Sequence, residues 1–184
     1  VRKPEIIESL LEALALQIGS EVSYNELAKL LGIDQITVRR YIDLLEKTFV
    51  IFRLKSFSRN VRNELKKSRK IYFYDNGIRN AILSNFSDID LRTDKGALFE
   101  NFLVSERNKL LNNHQLNTNK FFWRTTQQQE IDYIEERDGQ INAYEFKWNP
   151  NSKKRIPRTF IKAYPESNSE LITTDNYSDF LTYQ

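Results

Sequence analysis

The chain contains no cysteine, which excludes disulfides, thiolate metal centres and a cysteine nucleophile, and fits a reducing compartment such as the cytoplasm. Methionine is absent as well, and the chain opens at Val1 without a signal-peptide pattern. It therefore reads as a piece excised from a longer protein. The longest apolar stretch, around Leu10 to Ile18, is interrupted by Glu12 and Gln17 and falls well short of the ~20 residues of a membrane span. No membrane partner is expected. The single histidine, His114, sits in the polar run Asn112-Asn113-His114-Gln115 and has no second histidine to share a ligand site. None of the five glycines begins a GxxxxGK[ST] phosphate loop.

What remains is enough for real cores. With 184 residues, 40% of them hydrophobic and 12% aromatic, the chain has room for one or two domains. The net charge of +3 conceals an uneven distribution, because residues 53–70 carry eight basic side chains and one acidic. Phosphate backbones attract clustering of this kind.

The first half reads as helices followed by a hairpin. Pro4 to Ile18 places Ile6, Ile7, Leu10, Leu11, Leu14 and Ile18 at helical spacing, with Gly19 as the stop. Ser23-Tyr24-Asn25-Glu26 is a capping box that opens a helix through Leu31. Gly32 ends it and Asp34 caps a third helix, whose expected buried positions are Ile36, Val38, Tyr41, Ile42, Leu44 and Leu45. Two helices joined through a Gly-containing turn form a helix-turn-helix. Phe49 to Leu54 and Lys70 to Tyr74 then read as paired strands, with basic Lys55 to Arg69 as the tip of a wing.

The second half alternates differently. After a short helix over Ile78 to Leu83, a long helix is expected over Asp94 to Asn112, with Asp94 as its cap. Strands follow at Lys120 to Arg124, Glu130 to Glu136, Ile141 to Trp148 and Glu170 to Thr173, with a helix around Arg158 to Tyr164. The fold class is therefore α/β (α+β overall): a winged helix-turn-helix over residues 1–76, then an α-β-β-β-α-β module over 77–184.

One hairpin concentrates the chemistry. Asp138-Gly139 predicts a two-residue type I′ turn, which makes Arg137 and Gln140 the first facing pair. Counting outward sets Asp132 opposite Glu145 and Glu130 opposite Lys147. The period of two puts Ile131, Tyr133, Tyr144, Phe146 and Trp148 on one face. Glu130, Asp132, Glu145 and Lys147 fall on the other, beside Ile134, Ala143 and Ile141. Like charges directly opposed are destabilising unless something compensates. A divalent cation such as Mg²⁺ or Mn²⁺ would do so, since it takes carboxylate oxygens, water and substrate phosphates. Lys147 would position water or stabilise charge at phosphorus. The plainer account is a charged hairpin face with a salt bridge from Glu130 to Lys147.

Asp132 followed by Glu145-Phe146-Lys147 on the next strand resembles the signature of the PD-(D/E)xK nuclease superfamily, with Ile131-Asp132 in place of the proline-aspartate pair. Gly96-Ala97-Leu98-Phe99-Glu100 occupies the place of the acidic helix residue, which makes Glu100 the implied third metal ligand. The segments Val22 to Ala28, Tyr41 to Glu46, Lys70 to Gly77, Gly96 to Glu100, Arg124, Glu130 to Asp132 and Glu145 to Lys147 occur in the order of the C-terminal region of prokaryotic AAA+ ATPases, domain of unknown function 4143. That resemblance runs from about residue 20. It implies a winged helix and a restriction-endonuclease-like domain downstream of an ATPase domain, its expected partner. The implied catalytic set is Glu100, Asp132, Glu145 and Lys147, the first three binding Mg or Mn.

Candidate nucleic-acid contacts are Arg39 and Arg40 on the third helix, Arg59, Arg62, Lys66 and Lys67 in the wing, Arg124, and Lys153 and Lys154 after the hairpin. The alternative to a metal-dependent nuclease is a catalytically inactive regulatory or binding module of the ATPase. A third reading is a DNA-binding regulator that uses the winged helix alone.

Overall fold

A computed structural model describes residues 4–59, 69–152 and 156–182. Arg62, Lys66, Lys67, Lys153 and Lys154 lie outside the described residues. Among those described, the fold is a mixed α+β structure of seven α-helices, one short 3₁₀-helix and six strands. The strands hydrogen-bond in the order β2-β1-β3-β4-β5-β6. The chain forms two compact units, residues 4–53 with 69–101, and residues 54–59 with 102–182.

In the first unit, α1 (Pro4–Leu16), α2 (Tyr24–Leu31) and α3 (Gln35–Lys47) start and stop where local chemistry directs. Ser23 accepts the Glu26 N–H, Gly32 closes α2 at φ 63°, and Asp34 accepts the Thr37 N–H at 2.8 Å. Their apolar stripes meet in one core built on Leu10, Leu14, Leu27, Val38, Ile42 and Leu45, to which Ile51, Ile71 and Phe73 add the strand side chains. Two expected core positions of α3 are instead exposed, Ile36 at 65% and Leu44 at 39%. Val38, Ile42 and Leu45 already form the inward stripe at i, i+4, i+7 spacing, and the other two lie around the helix from it.

The first strand, β1 (Ile51–Ser56), begins two residues later than expected. Phe49 adopts φ 57° and the Val50 N–H returns to the Leu45 carbonyl at 3.0 Å, a Schellman closure of α3. The second, β2 (Arg69–Phe73), is followed by α4 (Asn76–Ile82), whose N-cap is Asp75. The 3₁₀-helix covers Ile89–Leu91, and α5 runs Lys95–Asn113.

The second unit contains β3 (Asn119–Arg124), β4 (Glu130–Arg137), β5 (Gln140–Lys147), α6 (Arg158–Ala163), β6 (Asn168–Thr173) and α7 (Tyr177–Phe180). Here β3, β4 and β5 form an antiparallel meander, while β6 pairs parallel with β5 through a crossover carrying α6, and the end of β1 pairs parallel with β3. Both faces of the sheet are covered. Phe160 of α6 packs with Trp123, Ile134, Ile141 and Ala143, and Phe180 of α7 meets the rings of Tyr133, Tyr144 and Phe146.

Candidate functional site

The β4–β5 turn has Asp138 at φ 53° and Gly139 at φ 81°, with Arg137 facing Gln140, as a type I′ turn requires. The ladder continues inward to Tyr133 opposite Tyr144. On the other side of β4, Phe121 faces Ile134 but Trp123 faces Ile131. Two residues, Asp132 and Tyr133, therefore stand against the single Phe122. This is a β-bulge, a device that re-aims side chains and is over-represented beside functional sites.

The bulge corrects the predicted faces. An extra residue reverses the alternation, so Ile131 packs with Ile134, Ile141 and Ala143, while Tyr133 packs with Tyr144, Phe146 and Phe180. It also gives Asp132 a backbone partner: the Phe146 N–H donates to Asp132 Oδ2 at 2.8 Å. A side-chain oxygen here takes a β5 amide two positions past Tyr144, the β5 residue of the last facing pair of the ladder.

Three of the expected site residues come together at this point. Asp132 is 5% exposed and Glu145 1%. The Lys147 ammonium lies 2.8 Å from Glu145 Oε1 and 3.6 Å from Asp132 Oδ2, and donates to the Phe146 carbonyl at 2.6 Å. Two buried carboxylates thus share one cation, half-buried at the cluster's outer side. Their hard oxygen donors suit Mg²⁺ or Mn²⁺, and Lys147 supplies a compensating charge to both.

Glu100 is positioned within the first unit. Its Oε1 accepts hydrogen bonds from Lys70 Nζ at 3.1 Å and the Tyr72 hydroxyl at 2.7 Å, and Lys70 is 1% exposed. Gly19 leaves the space that this carboxylate uses, since a Cβ there would stand 3.2 Å from Glu100 Oε1. Among the described residues, no group of three or more Asp, Glu, His or Cys side chains converges closely enough to hold a metal.

The remaining candidates are scattered. Glu130 forms an ion pair with Arg124 across the β3–β4 ladder at 3.7 Å, a partner other than the Lys147 expected for it. Arg59 reaches Glu136 at 3.3 Å. Arg39 and Arg40 are exposed on α3.

Sequence reasoning did not single out Arg107 and Glu135, which make a forked pair at 2.7 and 3.0 Å, with Arg107 also donating to the Phe180 carbonyl. Burial opposes the Arg107 charge, but Glu135 more than offsets it and its pKa rises. Burial, then the Glu135 charge, pushes the Tyr144 hydroxyl up to about 12. These groups line a cleft of about 670 Å³ with Asn142, Glu170 and Asp179. No motif announced it, because its walls come from α5, β4, β5, β6 and α7.

The bulge and its acidic pair lie in a segment that similarity also picks out. Residues 95–181 match the family described as Domain of unknown function (DUF4143). Residues 1–89 match a different one, Domain of unknown function (DUF8612), so the DUF4143 match is confined to the C-terminal region and does not reach back to residue 20. Uncharacterized proteins of Mycobacterium tuberculosis and Mycobacterium bovis are each 32% identical over 136 residues, which is 73% of this chain and 30% of theirs. An uncharacterized protein of Haemophilus influenzae is 27% identical over 84 residues, covering 43% of this chain and 21% of its own length. The chain thus spans about 30% of the length of the two mycobacterial relatives. No solved structure matches it. No helix among the described residues is long and apolar enough to cross a membrane.

Proposed function

We propose that this chain is the C-terminal part of an AAA+ ATPase, with a winged-helix first unit and a PD-(D/E)xK-like second unit that hydrolyses nucleic acid with Mg²⁺ or Mn²⁺. The observation that carries this reading is the bulge at Asp132–Tyr133, which brings Asp132 to the Phe146 amide and sets two buried carboxylates beside Lys147. Asp132 and Glu145 would hold the metal. The metal, when bound, polarises a phosphate and lowers the pKa of water. Lys147, beside both carboxylates, would meet negative charge developing on a phosphate. Asp132 is anchored by the Phe146 N–H, so its second oxygen keeps a fixed direction. Arg59 and Arg124, with the basic residues of 53–70, would follow the phosphate backbone.

A second reading is a catalytically inactive nuclease-like module that regulates the ATPase or binds its partners. The observation favouring it is that Lys147 already compensates both carboxylates, which makes the cluster self-sufficient without a metal. Incubation of the purified chain with single-stranded DNA, duplex DNA and RNA, with Mg²⁺, Mn²⁺ or EDTA, separates the two. The nuclease reading expects metal-dependent cleavage lost in Asp132→Ala and Lys147→Ala. Cleavage that survives both substitutions sinks the site, and no cleavage together with no metal binding by calorimetry supports the inactive module.

A further inference from the structure

The first unit carries two exposed helix faces that are complementary to each other. On α1 the residues pointing away from the core are Glu5, Glu8, Glu12 and Leu16, all exposed, and spaced so that they form one stripe. On α3 the outward stripe is Ile36, Arg40, Leu44 and Lys47, also exposed. Each helix is thirteen residues long. One face is acidic with an apolar end, and the other alternates apolar and basic.

Laid antiparallel, the two stripes fall into register along their whole length. Leu16 meets Ile36, Glu12 meets Arg40, Glu8 meets Leu44, and Glu5 meets Lys47. This gives one apolar contact, two opposite-charge contacts and one of Glu8 against the apolar Leu44, with no like charges opposed, and antiparallel helix dipoles add to it. Within the chain the stripes are not used: among the described residues, none of Glu5, Glu8, Glu12, Arg40 and Lys47 has an ion-pair partner. Leu16 at 72% and Ile36 at 65% are among the most exposed large apolar side chains. Leu16, Ile36 and Leu44 are three of the eleven exposed large apolar side chains among the described residues.

We propose that the chain self-associates through this unit, α1 of one copy lying antiparallel on α3 of another. The inference is independent of the nuclease reading, and it gives Arg40 a protein contact in place of a phosphate. Both partners of each contact are on every copy, so the interface is closed by symmetry or propagates head to tail.

The test is a charge-reversal cycle followed by sedimentation velocity of the whole chain. Wild type should self-associate as its concentration rises to about 0.5 mM, a range suited to an interface below the standard size. Arg40→Glu with Lys47→Glu sets acid against acid, and Glu5→Lys with Glu12→Lys sets base against base. Each double variant should weaken association more than about tenfold, since like-charge juxtaposition is costly. Mixing the two should restore it as a heteromer, because each then meets its complement. Circular dichroism confirms that both are folded, and the mixture serves as the internal control. A wild type that stays monomeric, variants that associate as wild type does, or a mixture that remains monomeric overturns the proposal. So does loss of oligonucleotide binding in Arg40→Glu with Lys47→Glu at unchanged mass, which would assign the stripe to nucleic acid.

Discussion

The Phe146 amide donates to Asp132 Oδ2 at 2.8 Å, so a side-chain oxygen accepts from the β5 backbone where the bulge interrupts β4. If Asp132 also holds a metal, as proposed, structure and chemistry compete for the same carboxylate, and the two can be separated. Asp132→Asn keeps an acceptor for the amide, whereas Asp132→Ala leaves a buried N–H unmet at a cost of roughly 1–3 kcal/mol. Urea unfolding should therefore show the alanine variant clearly less stable than the asparagine variant. Metal binding by calorimetry should fall in both, because both lose the charge.

Lys147 holds the charge balance of Asp132 and Glu145. Lys147→Met leaves two buried carboxylates without their cation, and breaking a buried pair in this way costs on the order of 3–5 kcal/mol. Because Lys147 itself is half-buried, the lower end of that range is expected. If a divalent cation takes the same position, Mg²⁺ or Mn²⁺ should raise the melting temperature of Lys147→Met more than that of wild type. An equal shift in both proteins would place any bound metal elsewhere.

The legible parts of this fold are those decided by a few neighbouring residues. Asp138-Gly139 fixed its turn because both positions need positive φ, and Ser23, Gly32 and Asp34 fixed helix ends because each acts on an amide or carbonyl nearby. The bulge was invisible, since it arises from how β4 meets β3, a pairing that alternation along β4 alone does not encode. The Glu130 partner was missed for the same reason: Arg124 comes from the strand that the hairpin count left out. Glu100 was singled out by a family resemblance, but its bonds to Lys70 and Tyr72 join residues about thirty positions apart. Four-residue α7 was missed too, although its Phe180 is central to the packing of Tyr133, Tyr144 and Phe146.

Asp94 joins two buried arginines. It accepts from Arg92 at 2.8 Å through both oxygens and from Arg79 at 2.5 Å, while Arg79 also donates to the Ala15 carbonyl at the end of α1. The hydrogen bonds from Arg92, then Arg79, hold the Asp94 carboxyl well below the usual carboxylate range, against the opposing effect of burial. A depressed folded-state pKa contributes stability that is complete above the unfolded value of about 3.9 and fades as pH falls below it. Asp94→Asn should thus cost about 2–4 kcal/mol at neutral pH, less than a fully buried pair because Asp94 keeps some water contact. It should also flatten the loss of stability on acidification below about pH 4. Urea midpoints measured from pH 7 down to pH 3 test this, and parallel curves for the two proteins would remove Asp94 from the account.

Among the described residues, four helix ends close the same way, with an amide returning five residues to a carbonyl: Ile33 to Ala28, Val50 to Leu45, Asn85 to Asn80 and Leu116 to Leu111. The motif wants a left-handed residue just before that amide, for which glycine is the unstrained choice. Gly32 meets the requirement, but Phe49, Ser84 and Gln115 occupy the same conformation at φ 57°, 49° and 53°. The left-handed region costs a non-glycine residue roughly 1–2 kcal/mol, partly offset because glycine has more freedom to lose on folding. Ser84→Gly and Gln115→Gly should each gain about 0.5–1 kcal/mol in urea unfolding. Phe49→Gly should gain less, since it also removes the edge-on contact of its ring with Tyr74 at 5.7 Å. A loss of stability in all three would show that these side chains hold their helix ends by contacts stronger than the backbone strain they carry.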